Sequence, residues 1–246
     1  MWKPETPVPF AALFDLDDTL FDHHRSARAA LNEVHARHAG QTDFETFEQH
    51  HTRYLEEMHI EVLAGRIGLD DARRERFRRV FLALGLALDE REVDQVASAY
   101  RFGYLQARRA VDGAADLLAA LRLHGRIGVV SNNLLDEQRE KLDFCGLAAY
   151  VDVLTVSEEA GVSKPHPRIF QIALERIGVS AADAVMIGDS WAADIAGAAR
   201  MGIRPVWFNP RRLPQPNDPA GVAVIHALTP AVDVLPVLFG SERSRR

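Results

Sequence analysis

Short apolar runs that alternate with helical patterns constrain the fold of this chain more than any other feature of its sequence. From Val111 onward, the runs "RIGVV", "VDVLTV", "AVMI" and "RPVWF" are separated by segments with helical periodicity. Runs that are apolar at nearly every position are typical of strands buried on both faces. Their alternation with helices predicts an α/β fold built on a doubly wound parallel sheet, and a first strand of the same kind is expected from Phe10 to Leu16.

A long segment between this first strand and the alternating region has helical patterns only. The stretches "SARAALNEVHARHAG" and "DFETFEQHHTRYLEEMHIEVLAG" space their apolar residues at helical intervals, and each ends at a glycine. Ser26 is a candidate N-cap for the first of these helices. We therefore expect two domains: an α/β core made of residues 1–21 and 110–246, and an all-helical domain, residues 22–109, inserted into it.

Polar side chains follow several of the predicted strands at the point where each strand ends. They are Asp15 and Asp17 after the first strand, Ser131 and Asn132 after "RIGVV", and Asp189 after "AVMI", with Asp194 one helical turn further on and Lys164 at the start of a helix. In an open parallel sheet, ligands bind beyond the carboxyl ends of the strands. We therefore expect these side chains to meet at one edge of the sheet.

The carboxylates in this set indicate a metal site. Four aspartates that converge at one edge would repel one another strongly in a medium of low dielectric constant, and a divalent cation together with one lysine would neutralise them. A hard, oxygen-only ligand set indicates Mg²⁺. Such a site can hold and polarise a phosphate dianion while one carboxylate is aimed at phosphorus.

These motifs resemble those of the haloacid dehalogenase superfamily. Its Asp-x-Asp-x-Thr signature reads "DLDDT" here, its strand-end serine lies in "VVSNN", its lysine in "SKP" and its acidic pair in "GDSWAAD". The four motifs occur in order, and the resemblance covers nearly the whole chain. The helical insertion looks like the C1 cap of subfamily I. The stretch "VSEEAGVSKPHPRIFQIALERIG" is most similar to soluble phosphatases of that subfamily, including pyrimidine 5'-nucleotidases and phosphoglycolate phosphatases.

The resemblance implies a role for each aspartate. Asp15 would be the nucleophile that becomes an aspartyl-phosphate and a metal ligand. Asp17 would be the general acid that protonates the leaving oxygen and then the base that activates water, and its backbone carbonyl would bind the metal. Asp189 would be the other carboxylate ligand, and Asp194 would bind the metal through water or support the direct ligands.

The resemblance also implies how the phosphoryl group is held. Ser131, the amide of Asn132 and the ammonium of Lys164 would bind its oxygens, which places Lys164 among the catalytic residues as well. Phosphoryl transfer depends mostly on positioning and charge neutralisation. The expected function is therefore Mg²⁺-dependent hydrolysis of a small soluble phosphomonoester, with nucleoside 5'-monophosphates as candidate substrates.

Two alternative functions are compatible with the same motifs. A phosphosugar mutase of the superfamily shares the cap type and all four motifs. A phospho-accepting signalling domain also has an acidic cluster, Mg²⁺ and a lysine on a parallel sheet, although it lacks the inserted helices and an acid two residues past the acceptor. Dehalogenases proper keep the nucleophile but lack that acid, so Asp17 favours phosphate chemistry over carbon–halogen cleavage.

Charge and composition exclude several classes of partner. The net charge of −6 argues against non-specific binding of nucleic acid, which requires a basic surface. No apolar run approaches the ~20 residues that span a bilayer. The N-terminal segment "MWKPETPVPF" has three prolines and does not resemble a signal peptide. With Cys145 as the single cysteine, no internal disulfide can form. We expect a cytoplasmic enzyme whose partner is a small phosphorylated metabolite.

Three other features are interpreted as structural. Seven of the ten histidines lie between His23 and His59, and we expect them on a solvated helix surface, with His23 and His24 as the exceptions to examine. The run "RRERFRR" at 73–79 is expected to be a solvated helix face balanced by nearby acids. Trp191 is expected to pack against a neighbouring helix.

Overall fold

Six parallel strands form the sheet that the sequence predicted. The computed structural model describes residues 10–216 and 221–240 of the chain, so residues 1–9, 217–220 and 241–246 of the expected core domain lie outside the described residues. The strands are β1 (Ala11–Phe14), β2 (Arg126–Ser131), β3 (Val153–Val156), β4 (Ala184–Gly188), β5 (Arg204–Phe208) and β6 (Ala223–Ile225). Their order in the sheet is β3-β2-β1-β4-β5-β6, which confirms the doubly wound parallel arrangement.

The helices fall into two groups along the chain. Between β1 and β2 lie α1 (His23–His38), α2 (Phe44–Leu63), α3 (Leu69–Ala83), α4 (Glu90–Ala107) and α5 (Ala114–Leu121). After β2 come α6 (Leu135–Phe144), α7 (Ser157–Ala160), α8 (Pro167–Ile177), α9 (Ala196–Arg200) and α10 (Ala231–Phe239). Among the residues that the structure describes, none of these helices is both long enough and apolar enough to cross a bilayer.

Strand β1, Ala11–Phe14, is shorter than the expected Phe10–Leu16 because the chain leaves the sheet after Asp15 and turns around Leu16. The amide of Asp15 still donates to the carbonyl of Ile187 in β4, at 2.8 Å. The amides of Thr19, Leu20 and Phe21 then all donate to the carbonyl of Leu16. The aspartates of the first motif therefore lie in a tight turn at the carboxyl end of a central strand.

The chain divides into two compact units, one of residues 1–22 and 109–246 and the other His23–Arg108. The second contains only α1 to α4 and the turns between them. Here α1 and α4 approach closely, since a Cβ at Gly103 would lie 3.3 Å from Ala30. The expected N-cap role of Ser26 is wrong: α1 begins three residues earlier, and the buried Ser26 hydroxyl donates to the carbonyl of Ala107 at 3.1 Å.

The first unit has its own hydrophobic core beneath the sheet. Helix α8 supplies Ile169, Phe170 and Ile177, which pack with Leu13 of β1 and Met186 of β4, and all five side chains are fully buried. Burying an aliphatic or aromatic side chain of this size contributes about 1.5–3 kcal/mol. This packing fixes the central strands rigidly, and the strand ends that carry the motifs are fixed with them.

Candidate active site

Three neighbouring strands bring the predicted site residues to one edge of the sheet. Asp15 follows β1, Ser131 is the last residue of β2 and Asp189 follows β4. Because β1 lies between β2 and β4 and all three are parallel, these residues share the carboxyl edge. Asp15 and Ser131 are buried, at 7% and 2% exposure.

Lys164 lies at the centre of the cluster. Its ammonium donates to Asp15 Oδ1 at 2.6 Å and to the carbonyl of Val130 at 2.7 Å, and it forms an ion pair with Asp194 Oδ1 at 2.7 Å. A lysine ammonium has three N–H donors, and Asp15 Oδ1 and the carbonyl of Val130 take two of them. Asp194 Oδ1 accepts no hydrogen bond among the described residues, so its attraction to Lys164 is one of charge. Lys164 therefore ties together the ends of β1 and β2 and the segment that follows β4.

The backbone around Lys164 is held by Asn132. The amide of Lys164 donates to Asn132 Oδ1 at 2.6 Å, and Asn132 Nδ2 donates to the carbonyl of Lys164 at 2.9 Å. The side chain of Asn132 thus positions the lysine. Its backbone amide remains the predicted contact for a phosphoryl oxygen.

Three carboxylates form a group that could hold a metal ion. One oxygen from each of Asp15, Asp189 and Asp194 lies within 4.8 Å of the other two. Mg²⁺ in proteins is usually bound by one or two carboxylates together with waters and substrate phosphate, and this group of three can supply such ligands, so the residues present fit the expected cation. Asp17 was expected in the same metal set, and its carboxylate lies outside this group; its backbone carbonyl stays a predicted ligand.

Burial and mutual repulsion shift the pKa values of this cluster. Burial raises the pKa of Asp15 well above its ordinary value, and Lys164 offsets this in part. Burial, followed by the charges of Asp194 and Asp18, raises the pKa of Asp189 to about 7. Although burial acts against it, the charges of Asp15 and Asp194 raise the pKa of Lys164. One ammonium does not neutralise the cluster, and a divalent cation would reverse the shifts of the carboxyl groups.

A wide turn and a glycine place Asp194 in the cluster. Residues Trp191–Ile195 form one turn of π-helix before α9, a local distortion that is frequent at functional sites. The amide of Ser190 donates to Asp194 Oδ2 at 3.0 Å. A Cβ at Gly188 would lie only 2.3 Å from the same oxygen, so the position before Asp189 requires glycine.

Two tryptophans support the end of β4. Trp207 on β5 donates its indole N–H to the carbonyl of Asp189 at 2.8 Å. Trp191 packs edge-on against Trp207, with ring centroids 5.1 Å apart. The expectation that Trp191 packs on a helix is therefore wrong: its ring lies against a strand residue, which holds the backbone of a site aspartate.

Asp17 is held by residues that the sequence analysis missed. Lys141 Nζ donates to Asp17 Oδ1 at 2.6 Å, and Gln138 Nε2 donates to Asp17 Oδ2 at 2.9 Å. A longer contact of 3.5 Å joins Asn133 Nδ2 to Oδ2. Gln138 Nε2 also donates to Ser131 Oγ at 2.5 Å. The signal was the spacing of Gln138 and Lys141, which puts both on one face of the helix that follows the second motif.

The match of this chain to a protein family agrees with the geometry of the site. The chain belongs to the haloacid dehalogenase-like hydrolase family, whose model matches residues 11–202. That range contains every one of the motif residues described above. The resemblance inferred from the motifs is therefore confirmed, and so is the class of enzyme, a hydrolase.

Curated relatives of the chain are named for several phosphate esters. It is 34% identical over 202 residues to glyceraldehyde 3-phosphate phosphatase of Pyrococcus abyssi, covering 79% of each chain. It is 33% identical to ribulose-1,5-bisphosphate 5-phosphatase of Halopiger xanaduensis, covering 81% of this chain and 84% of the relative. It is 36% identical over 117 residues to pyrimidine 5'-nucleotidase YjjG of Escherichia coli, covering 47% of this chain and 52% of the relative.

Solved structures share the fold. The HAD-hydrolase YfnB of Bacillus subtilis, solved with magnesium, superimposes with a TM-score of 0.73 at 24% identity, covering 94% of this chain and 99% of that one. A 2-haloacid dehalogenase of Pseudomonas syringae superimposes with a TM-score of 0.61 at 28% identity, covering 93% and 98%. The same fold therefore occurs in proteins with different names.

Proposed function

We propose that this enzyme is a Mg²⁺-dependent phosphatase that hydrolyses a small soluble phosphomonoester through an aspartyl-phosphate on Asp15. The observation that carries this proposal is the group of Asp15, Asp189 and Asp194 around the ammonium of Lys164, with Asp17 two residues beyond the nucleophile. Asp15 and Asp189, the backbone carbonyl of Asp17 and, directly or through water, Asp194 would hold the metal. When bound, Mg²⁺ supplies positive charge that draws the phosphate dianion toward these carboxylates and polarises it.

The residues of the chain account for both halves of the reaction. Asp15 attacks phosphorus, a bond forms between its carboxylate oxygen and phosphorus, and the bond from phosphorus to the leaving oxygen breaks. Asp17 transfers its proton to that leaving oxygen. In the second half, Asp17 takes a proton from water, the water oxygen attacks phosphorus, and the bond to Asp15 breaks to release inorganic phosphate.

Lys164 and Ser131 would orient the phosphoryl group during these steps. Lys164 already contacts the nucleophile at 2.6 Å, so a phosphoryl oxygen next to Asp15 would lie within its reach. Ser131 lies on the neighbouring strand, where its hydroxyl accepts from Gln138 and keeps its own proton available for donation. Both donors lie in a buried environment, where electrostatic stabilisation of the transition state is strongest.

Lys141 and Gln138 act as positioning residues for Asp17. Their two hydrogen bonds reach different oxygens of the Asp17 carboxylate, so they fix both its position and the plane in which it lies. Because Gln138 also contacts Ser131, the acid and the phosphate-binding serine are held by one side chain. This link couples the placement of the proton donor to that of the phosphoryl group.

The substrate class follows from the relatives together with the site. Those named above act, by their names, on a triose phosphate, a sugar bisphosphate and pyrimidine nucleotides. A small soluble phosphomonoester is common to all three, and nucleoside 5'-monophosphates are the candidates that the sequence motifs favour. We assign the selection among substrates to a cap domain of residues 22–109 and the chemistry to the core of residues 1–21 and 110–246. We also propose a cytoplasmic location.

Phosphosugar mutation is the second candidate, because it would use the same four motifs. Products distinguish the two: a mutase yields an isomerised sugar phosphate, and a phosphatase yields free phosphate. Carbon–halogen hydrolysis is disfavoured by Asp17 and by the polar side chains that hold it.

The test is a phosphate-release screen over sugar phosphates, nucleotides and small organic phosphates with Mg²⁺ present. We expect release from at least one small ester by the wild-type enzyme and none by Asp15→Asn prepared in parallel. Release by both proteins would point to a contaminating phosphatase. No release from any ester, with isomerisation of a sugar phosphate instead, would replace the proposal by the mutase.

A further inference from the structure

The helical unit contains a buried arginine that none of the family motifs explains. The run at 73–79 was expected to be a solvated face, and Arg74 and Arg78 indeed form ion pairs with Glu90. The expectation is wrong for Arg76, which is only 5% exposed. Its position four residues after the buried Ala72 places it on the inner stripe of α3.

Aromatic rings surround the guanidinium of Arg76. Its central carbon lies 5.1 Å from the ring centroid of Phe77 and 4.9 Å from that of Tyr100. Ring faces attract a cation, but they do not replace acceptors for the five N–H donors in the plane of a guanidinium. Arg76 Nε is fully buried without a hydrogen-bond partner. Within the part of the chain that the structure describes, Arg76 forms no hydrogen bond or ion pair.

A buried histidine lies against the same rings. His51 is 1% exposed, so the expectation of a solvated histidine surface is wrong for this residue. Its ring centroid is 5.1 Å from that of Tyr100 and 5.5 Å from that of Phe77, and its Nε2 is buried without a partner. Burial, followed by the charge of Arg76, lowers the pKa of His51 well below its ordinary value, so the ring is neutral at neutral pH.

We propose that these four residues, His51, Arg76, Phe77 and Tyr100, form a binding site for an oxyanion, either a carboxylate or a phosphate. A guanidinium presents paired N–H groups that match two oxygens of such an anion. The anion would supply the hydrogen-bond acceptors for Arg76 and the compensating negative charge, neither of which the surrounding residues provide. Burying a cation without an acidic partner lowers the stability of the folded state. Proteins retain such destabilising features mainly at functional sites.

The oxyanion could come from two sources. One is a second acidic group on the phosphoester substrate, in which case the inference rests on the proposed function and narrows its substrate class to esters with two anionic groups. The other is a free anion such as inorganic phosphate. The two arms of the experiment separate these sources.

The first arm measures thermal unfolding of the full chain in EDTA while inorganic phosphate is added. Without metal, the excess negative charge of the Asp15 cluster repels anions, so a response to phosphate reports on another site. We expect a rise of about 3–6 °C at a phosphate concentration about ten times its Kd. Arg76→Met should lose this rise, whereas Arg74→Met, which removes a half-buried, ion-paired arginine from the same helix, should keep it. Without phosphate, Arg76→Met should melt above the wild type, because it removes a buried unpaired charge.

The second arm compares, with Mg²⁺ present, a phosphoester that carries a carboxylate with its carboxamide analogue. If the anion belongs to the substrate, Arg76→Met raises the KM of the carboxylate ester at least tenfold more than that of the amide. If the KM values change equally while the phosphate response is lost, the site takes a free anion.

A phosphate response of the same size in Arg76→Met and in the wild type would overturn the inference. So would a wild type without any response together with an Arg76→Met variant that melts lower, because Arg76 would then be a packing residue. Absence of turnover on every ester counts against the proposed function alone, since the melting arm does not depend on catalysis.

Discussion

Lys164 in the core and Arg76 in the helical unit are equally buried cations in opposite surroundings. Each is 5% exposed. Lys164 is contacted by two carboxylates and one carbonyl, and it donates hydrogen bonds to Asp15 and to the carbonyl of Val130. Arg76 is contacted by two aromatic rings and by no carboxylate among the described residues.

In both places burial strengthens the effect of uncompensated charge, which is negative around Lys164 and positive around Arg76. Around Lys164 the carboxylates are in excess, and their burial, followed by their mutual repulsion, raises the pKa of Asp15 and Asp189. This excess of negative charge suits a cation. Around Arg76 the positive charge is in excess, which suits an anion. A charged side chain exposed to water would be solvated, and its lack of a partner would not indicate a binding site. The two units therefore offer complementary binding chemistry, and removing either cation should have opposite consequences.

The largest effect is expected from Lys164→Met. In EDTA this change leaves the buried carboxylates without their cation, and removing one partner of a buried ion pair costs about 3–5 kcal/mol of unfolding free energy. Phosphate release should also fall by about 10³-fold or more, because a donor to the phosphoryl group is lost. Urea unfolding and a phosphate assay measure the two effects.

Arg76→Met is the matched control for the loss of stability in Lys164→Met. Both variants replace an equally buried cation by methionine. Arg76→Met should be as stable as the wild type or more stable. If both variants lose stability to the same extent, the two cations have equivalent surroundings and the comparison fails.

A smaller effect is expected from Lys141→Met. Without its contact to Lys141, the carboxylate of Asp17 is less well placed to protonate an alkoxide, and we expect formation of the phosphoenzyme to slow about 10–100-fold on an alkyl phosphate. The better leaving group of p-nitrophenyl phosphate hardly needs an acid, so its rate should change much less. Single-turnover kinetics on both esters give the ratio.

Lys141→Arg is the control for this variant. Arginine retains a cationic donor and should restore part of the rate on the alkyl ester while leaving the melting temperature unchanged. Equal losses on the two esters, or a loss explained by a lower melting temperature, would show that Lys141 has no role in positioning Asp17.

The smallest effect concerns pH and the metal. Asp189 has a folded-state pKa of about 7 against an ordinary value of 3.8, so the folded state holds its proton more tightly than the unfolded state. The contribution of Asp189 to stability is therefore largest below about pH 4 and is lost as the pH rises toward 7. Mg²⁺ compensates the ionised carboxylate, so it should raise the melting temperature more at pH 8 than at pH 5.5.

Asp189→Asn separates this effect from the histidines, which titrate in the same range. The variant removes one ionisation and leaves the histidines in place. The pH dependence of the Mg²⁺ effect should flatten in Asp189→Asn. If it keeps the slope of the wild type, another group is responsible.

The sequence predicted the parts of the site that depend on strand ends. Asp15, Ser131 and Asp189 each follow an apolar run, and parallel strands bring such positions to one edge whatever the details of packing. Lys164 and Asp194 lie outside the strands, and their positions at a helix start and one helical turn past a strand end suggested a place in the site before the family motifs gave them roles. The π-helical turn that places Asp194 was not predicted, because helical periodicity does not distinguish it from an ordinary first turn.

The missed residues depend on which side of a helix meets which neighbour. Gln138 and Lys141 belong to a helix rich in polar residues, and only tertiary packing turns them toward Asp17. Arg76 was hidden in a run of charges, although its spacing from Ala72 and Val80 puts it on the buried stripe of α3. A charge that falls on an apolar stripe at helical spacing was the signal that could have revealed it.

The most direct test of the central claim is to identify the residue that carries the phosphoryl group. The enzyme is mixed with an excess of substrate and Mg²⁺, quenched in acid within one turnover, digested and analysed by mass spectrometry. We expect one phosphoryl group on the peptide that contains Asp15, labile to base, and none in Asp15→Asn treated in the same way. Phosphate release without any phosphorylated peptide, or a phosphoryl group on a different residue, would contradict the assignment of Asp15 as the nucleophile.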